Sequence, residues 1–237
     1  MNSFFSTDNK FFYAISKILD CVGLSVLWLI CFVPTGLMLY FAMAAESLLF
    51  ALPCILLGIP AGAATTALYY AVNKSVVHER GYVWREFRQS FVRNFKQCAV
   101  ISVILTTAAI VMAADVYIMY QYAASGEPAG AFYIVFLIMM ALLVMWGIYV
   151  FPYIARFENT VKLILKNTAL IAIGNLGKTV VMFLLLAGVL LLAYLATYLL
   201  LILPALYMLC INFLMEKIFR KYMSEEDLAA EDERNEL

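Results

Sequence analysis

Four stretches of this chain stay apolar for about the 20 positions that an α-helix needs to cross ~30 Å of hydrocarbon. They are residues 21–43, 47–72, 98–120 and 132–151. A fifth, residues 179–215, runs for 37 positions without a charge. That is too long for one crossing, and a tight turn between Tyr198 and Leu203 divides it into spans 179–198 and 203–216. The pattern predicts an all-α membrane bundle of six transmembrane helices.

Two polar intervals carry a different period. In residues 73–97, read at about 100° per residue, Trp84, Phe87, Phe91 and Phe95 fall on one face and Arg85, Arg88, Arg93 and Lys96 on the other. This predicts an amphipathic helix lying flat on the membrane, rings at the headgroup boundary and cations toward anionic lipid or a partner. Rings and cations are segregated rather than interleaved, which argues against nucleic acid as the ligand. In residues 156–178, Glu158, Lys162 and Lys166 follow an i, i+4 ladder, while Phe157, Val161, Leu165 and Ala169 form another stripe and Gly174 with Asn175 supplies a stop. This second amphipathic helix opens with Arg156, Glu158 and Asn159. It serves either as a docking surface or as a spacer between spans.

Composition agrees with the pattern: 65% of the 237 residues are hydrophobic and 14% charged, against about 45–50% and about 25% in soluble domains. The formal net charge is zero, but residues 224–237 hold seven acids and one Arg, so the remainder carries +6. That acidic tail, with no aromatic or β-branched residue, is expected to stay disordered. With six spans and an inward N-terminus, all sixteen Lys and Arg fall on the cytoplasmic side. Both termini are therefore expected inside. The first apolar run exceeds the 7–15 residues of a signal h-region, so it is expected to be an uncleaved first helix.

Within residues 47–72, Gly62, Ala63, Ala64 and Ala67 form a small-residue face that allows close backbone approach, and Thr65 and Thr66 can hydrogen-bond across it. Pro60 is expected to bend the helix just before. Pro34, Pro53 and Pro204 add further expected breaks, and broken helices are one way transporters build midplane sites.

Four segments together resemble a known family: residues 62–70 (GAATTALYY), 80–97 (RGYVWREFRQSFVRNFKQ), 151–167 (FPYIARFENTVKLILKN) and 218–222 (IFRKY). They are similar to the YesL family, bacterial integral membrane proteins catalogued as a domain of unknown function. Relative to the usual family pattern, Pro34 to Ile59 lengthens this chain. The family is commonly encoded beside sugar-binding lipoproteins, carbohydrate ABC permeases, glycoside hydrolases and two-component regulators. The resemblance implies a bacterial plasma-membrane protein accessory to oligosaccharide uptake or sensing, with an ABC permease or ATPase, or a sensor kinase, as partner.

Candidate chemistry is sparse. The single His78 cannot build a triad or a metal site, and the chain has no GxSxG, HExxH or P-loop. The five cysteines lie in or beside apolar runs without a CxxC, which suits small buried hydrophobes. No enzyme activity, metal or cofactor is expected. Asp115 is the acid placed deepest in a span, a possible solute site by the usual meaning of an intramembrane charge, or else a headgroup-level residue. If it is a solute site, the alternative function is a small solute transporter in its own right. A membrane enzyme of lipid or glycan metabolism is a third reading.

Overall fold

The computed structural model describes residues 10–45, 52–79 and 82–223, together with 225 and 228. Among them are seven α-helices and no strand: α1 (Lys10–Ala44), α2 (Pro53–Ala71), α3 (Val83–Ala124), α4 (Tyr133–Arg156), α5 (Val161–Gly174), α6 (Leu176–Leu195) and α7 (Leu203–Phe219). A π-helical turn, Val72–Val77, continues α2, and the 3-10 turns Pro128–Phe132 and Thr197–Leu201 precede α4 and α7. The protein is thus a helical membrane bundle. Within the expected second span, residues 47–51 lie outside the described residues, as does most of the acidic tail.

Among the described residues, five segments are long and apolar enough to cross a membrane: Ile15–Ala42, Pro53–Val77, Val83–Ala124, Pro128–Arg156 and Leu176–Leu195. The sixth expected span is α7, whose 17 residues stand at the short limit of about 17–25 for a crossing. The long apolar run does divide where a turn was expected, with α6 ending at Leu195 and α7 starting at Leu203.

Proline does not break this bundle. Pro34, Pro60 and Pro152 lie inside continuous helices α1, α2 and α4, and Pro53 and Pro204 occupy first turns, where a missing N–H is harmless. The expectation of Pro-broken helices is therefore corrected. In hydrocarbon, neighbouring helices and side chains compensate a Pro-freed carbonyl. Similarly, the N–H of Ala205 in the first turn of α7 is satisfied from outside, by Ser25 Oγ of α1 at 3.1 Å.

The basic segment before the third span is not a separate surface helix. Its residues 83–97 form the first third of α3, a continuous helix of 42 residues and therefore about 63 Å long. Its inward stripe is Val83, Glu86, Phe87, Ser90 and Asn94, turned by roughly a quarter revolution from the ring face. Phe87 is buried, Phe91 and Phe95 pack against the core, and Trp84 is 58% exposed. Helix α5 shows the same rotation. Its buried residues are Ile164, Thr168, Ile171 and Ala172 rather than the Val161–Leu165–Ala169 stripe, because Trp146 Nε1 of α4 donates to Thr168 Oγ1 at 2.9 Å. Glu158 precedes the first turn of α5, so the Glu158–Lys162 rung of the ladder is not helical.

Helices α2 and α3 run antiparallel in a register that repeats every four residues. Gly58 faces Thr106, Gly62 faces Ser102, and Thr66 Oγ1 lies 3.2 Å from Cys98 Sγ. Further along, Tyr70 meets Arg93 and Lys74 meets Glu86. The α2 side is a Gly-x-x-x-Gly pair that lets two backbones close up without lipid between them. A Cβ on Gly62 would overlap Ser102 Oγ and stand 2.7 Å from the Phe151 ring. Ala63, Ala64 and Ala67 are fully buried beside it. Thr65 turns the other way, toward α1, accepting a hydrogen bond from Trp28 Nε1 at 2.9 Å and donating to Ala61 O at 2.8 Å.

Candidate functional site at the basic end of the bundle

The start of α1, the ends of α2, α4 and α7, and the start of α3 converge at one end of the molecule. The chain places most of its cations in these segments, and a few acids draw them together. Glu216, near the end of α7, is the hub: its Oε1 accepts from Tyr69 OH at 3.0 Å and Asn73 Nδ2 at 2.6 Å, and its Oε2 pairs with Arg156 Nη2 at 3.1 Å. One carboxylate thereby ties α2, its π-helical turn, α4 and α7. A charge-assisted hydrogen bond is roughly twice as strong as a neutral one, and this one is largely shielded, with side chains 17% and 21% exposed.

A second pair fixes the α3 extension. Lys74 Nζ lies 2.7 Å from Glu86 Oε2, and the Glu86 side chain is 6% exposed. The Lys74 ammonium and the Arg93 guanidinium both approach the Tyr70 ring, at 5.5 and 5.6 Å from its centroid, within cation–π range. Lys17 of α1 caps the π-helical turn, donating to Ser75 O at 3.0 Å and Val76 O at 3.3 Å. There it satisfies carbonyls that a helix end leaves open and complements the negative end of the dipole.

The α4–α5 connection is tied by amides. Gln97 of α3 donates to the carbonyl of Asn159. Asn159 and Asn167 both donate to Tyr153 OH at 3.0 Å. Tyr153, Phe157 and Phe219 form one aromatic cluster.

These contacts sort the residues expected to meet a partner or lipid. Arg85, Arg88 and Arg93 are exposed, as are Lys96, Lys162 and Lys166. Glu158 and Trp84 are exposed as well. By contrast Phe87 is core, Arg156 is committed to Glu216, and Asn159 is committed to Tyr153 and Gln97. Physically, those three belong to the scaffold and not to an outward surface. Composition and period directed attention away from Glu216, Glu86, Asn73 and Tyr69. The available signal was an i, i+4 polar ladder on α3, Glu86–Ser90–Asn94–Cys98–Ser102–Thr106, which has no reason to be so regular on a lipid-facing helix.

Asp115 is half-buried on α3, nine residues before the helix end at Ala124. It makes no hydrogen bond or ion pair with any described residue. No group of three or more His, Cys, Asp or Glu with metal-binding geometry occurs among the described residues, and the five cysteines are free thiols.

Two apolar hollows lie toward the middle of the bundle. One, of about 430 Å³, sits under α5 between α3 and α4, with the exposed Met139, Leu142, Ile173 and Leu176 on its walls. The other, of about 360 Å³, is enclosed by α1, α2, α3, α4, α6 and α7 together with the turn before α7. Asp115 lines neither.

Among curated proteins and among solved structures nothing matches this chain. Residues 21–116, which run from α1 through α2 into the last quarter of α3 and include the α2–α3 register, match the family described as protein of unknown function, DUF624.

Proposed function

We propose that this protein is a non-enzymatic, multi-pass component of a carbohydrate uptake or sensing system in a bacterial plasma membrane, with both termini cytoplasmic. Its basic end docks a partner subunit, an ABC permease or ATPase or a sensor kinase. One observation carries the reading: Arg85, Arg88, Arg93 and Lys96 stay exposed on a helical extension that Glu86–Lys74 and Gln97–Asn159 clamp to the bundle. A clamped cationic face loses little freedom on binding, which favours specific docking over loose lipid attraction. The convergence of the basic segments at one end supports the inward placement of that end. The link to carbohydrate rests on the YesL resemblance.

Transport by the chain alone has less support. The helices are unbroken, and the described wall of the central hollow holds no Asp, Glu, His, Lys or Arg to recognise a solute. The deciding experiment is affinity purification of the full chain from sugar-induced cells, native against Arg85→Glu/Arg88→Glu. Recovery of a permease, ATPase or kinase with the native chain and its loss with the variant is the expected result. Equal recovery from both, or recovery of no such protein, removes the reading, and sugar flux into vesicles containing this protein alone replaces it with transport.

A further inference from the structure

The central hollow has a chemistry independent of the basic end. Its inner floor is Leu68, Ile148, Pro152 and Ile211, all buried. Its opposite rim, near the cation-free ends of α6 and α7, is Leu190, which is 61% exposed, with Ala193 and Leu200 half-buried. Its walls are thus buried toward the basic end and more exposed toward the other, although Leu203 there is also buried.

Three side chains in the wall carry polar atoms, and each already has a partner. Trp28 donates to Thr65, Thr65 donates to Ala61 O, and Tyr207 OH reaches Met182 O at 3.5 Å. A sugar or other polyol placed here would bury hydroxyls with no side-chain donor left to answer them, at about 1–3 kcal/mol for each unsatisfied group. Water faces the same difficulty, since a buried water needs 2–4 polar partners.

Volume narrows the occupant further. An apolar cavity of about 150 Å³ already accepts benzene, and this one holds about 360 Å³. Space of that size suits part of a slender hydrocarbon chain. Gly147 reinforces the point. It lines the hollow, and a Cβ added there would meet nothing within 4 Å. Unlike Gly62, this glycine brings no backbones together; it leaves the wall recessed.

We propose that this slot holds one hydrocarbon chain, the acyl chain of a membrane phospholipid, inserted from the cation-free end with its methyl terminus against Leu68 and Ile211. No Lys or Arg lines that rim, so occupancy is indifferent to headgroup charge.

The test is photolabelling. The full-length protein is reconstituted in phosphatidylcholine vesicles doped with a phosphatidylcholine carrying a diazirine near the end of one acyl chain, and labelled residues are mapped by mass spectrometry. The native chain is expected to carry label on Leu68, Ile148 or Ile211, which face no bulk lipid, and the same label from a phosphatidylglycerol analogue. Gly147→Phe, and independently Ala193→Phe from the facing wall, are expected to lose that label while the lipid-facing Ile134 and Leu184 keep theirs. Label confined to outward residues in the native chain overturns the proposal, whatever the variants do. Wall label that persists in a folded Gly147→Phe protein also overturns it. Wall label from an isoprenoid diazirine probe but not from the acyl probe moves the site to a branched chain and refutes the acyl assignment.

Discussion

The α2–α3 seam and the space around Gly147 solve opposite problems with the same residue. In the seam, Gly58 and Gly62 remove side chains so that two backbones meet, and Thr106, Ser102 and Phe151 fill the vacated volume. Around Gly147 the side chain is also missing, and nothing fills it. Inside a bilayer there is no hydrophobic drive between helices, so contact quality decides which surfaces close. The seam closes because small and polar groups interlock every four residues. The α4–α6–α7 region stays open because Leu and Val side chains gain as much from lipid as from each other.

This contrast is easiest to break at Gly62. Gly62→Ala is expected to cost about 3 kcal/mol, the upper end of the usual overpacking range, because the new methyl meets the Phe151 ring as well as the Ser102 hydroxyl. Size-exclusion profiles and thermal unfolding in detergent would show it. The double variant Gly62→Ala/Ser102→Gly is expected to recover only part of the loss, because Phe151 still stands in the way.

Next in size is the hub at the basic end. Glu216→Ala removes an acceptor shared by Tyr69, Asn73 and Arg156, and a cost of about 3 kcal/mol is expected by analogy with broken buried pairs. Glu216→Gln keeps an acceptor for Tyr69 and Asn73 while losing the ion pair, so it should fall between Ala and native in thermal unfolding. A ranking with Gln no better than Ala would mean that the ion pair, not the hydrogen-bond hub, holds α7 in place.

Glu86→Gln is a smaller perturbation, about 1–2 kcal/mol, since Lys74 is more than a third exposed and keeps access to water. Its effect should appear locally, as faster hydrogen exchange over residues 83–97 with exchange in α6 unchanged. The smallest effect closes the comparison: Gly147→Ala is expected to be neutral or stabilising by about 0.5–1 kcal/mol, from helix propensity alone. A destabilisation there comparable to Gly62→Ala would show that the hollow is not open space.

Legibility differed between element and face. The spans, the division of residues 179–215 and the stop at Gly174–Asn175 were readable from hydropathy and turn residues, because each helix satisfies its own backbone in lipid. The faces of α3 and α5 were not. A count of hydrophobic positions turns the ring side of α3 to the membrane surface and singles out the Val161–Leu165–Ala169 stripe of α5, whereas the buried sides carry Glu86, Ser90, Asn94 and Thr168. Polar side chains turn inward here because partners await them: Lys74 for Glu86, Trp146 for Thr168. Partner identity is long-range information: Tyr69 and Glu216 are 147 positions apart.

By itself, then, the sequence determined that this chain lives in a membrane, where its long apolar runs lie, and that its cations gather in a few segments. Those are local properties, written in run length and charge. Only the tertiary structure decided that the basic segment is one helix with the third span, that Glu216 binds three elements together, and that Gly62 is packed while Gly147 faces empty space. The reason is that packing in lipid depends on what each surface meets, and a glycine has no side chain to say which.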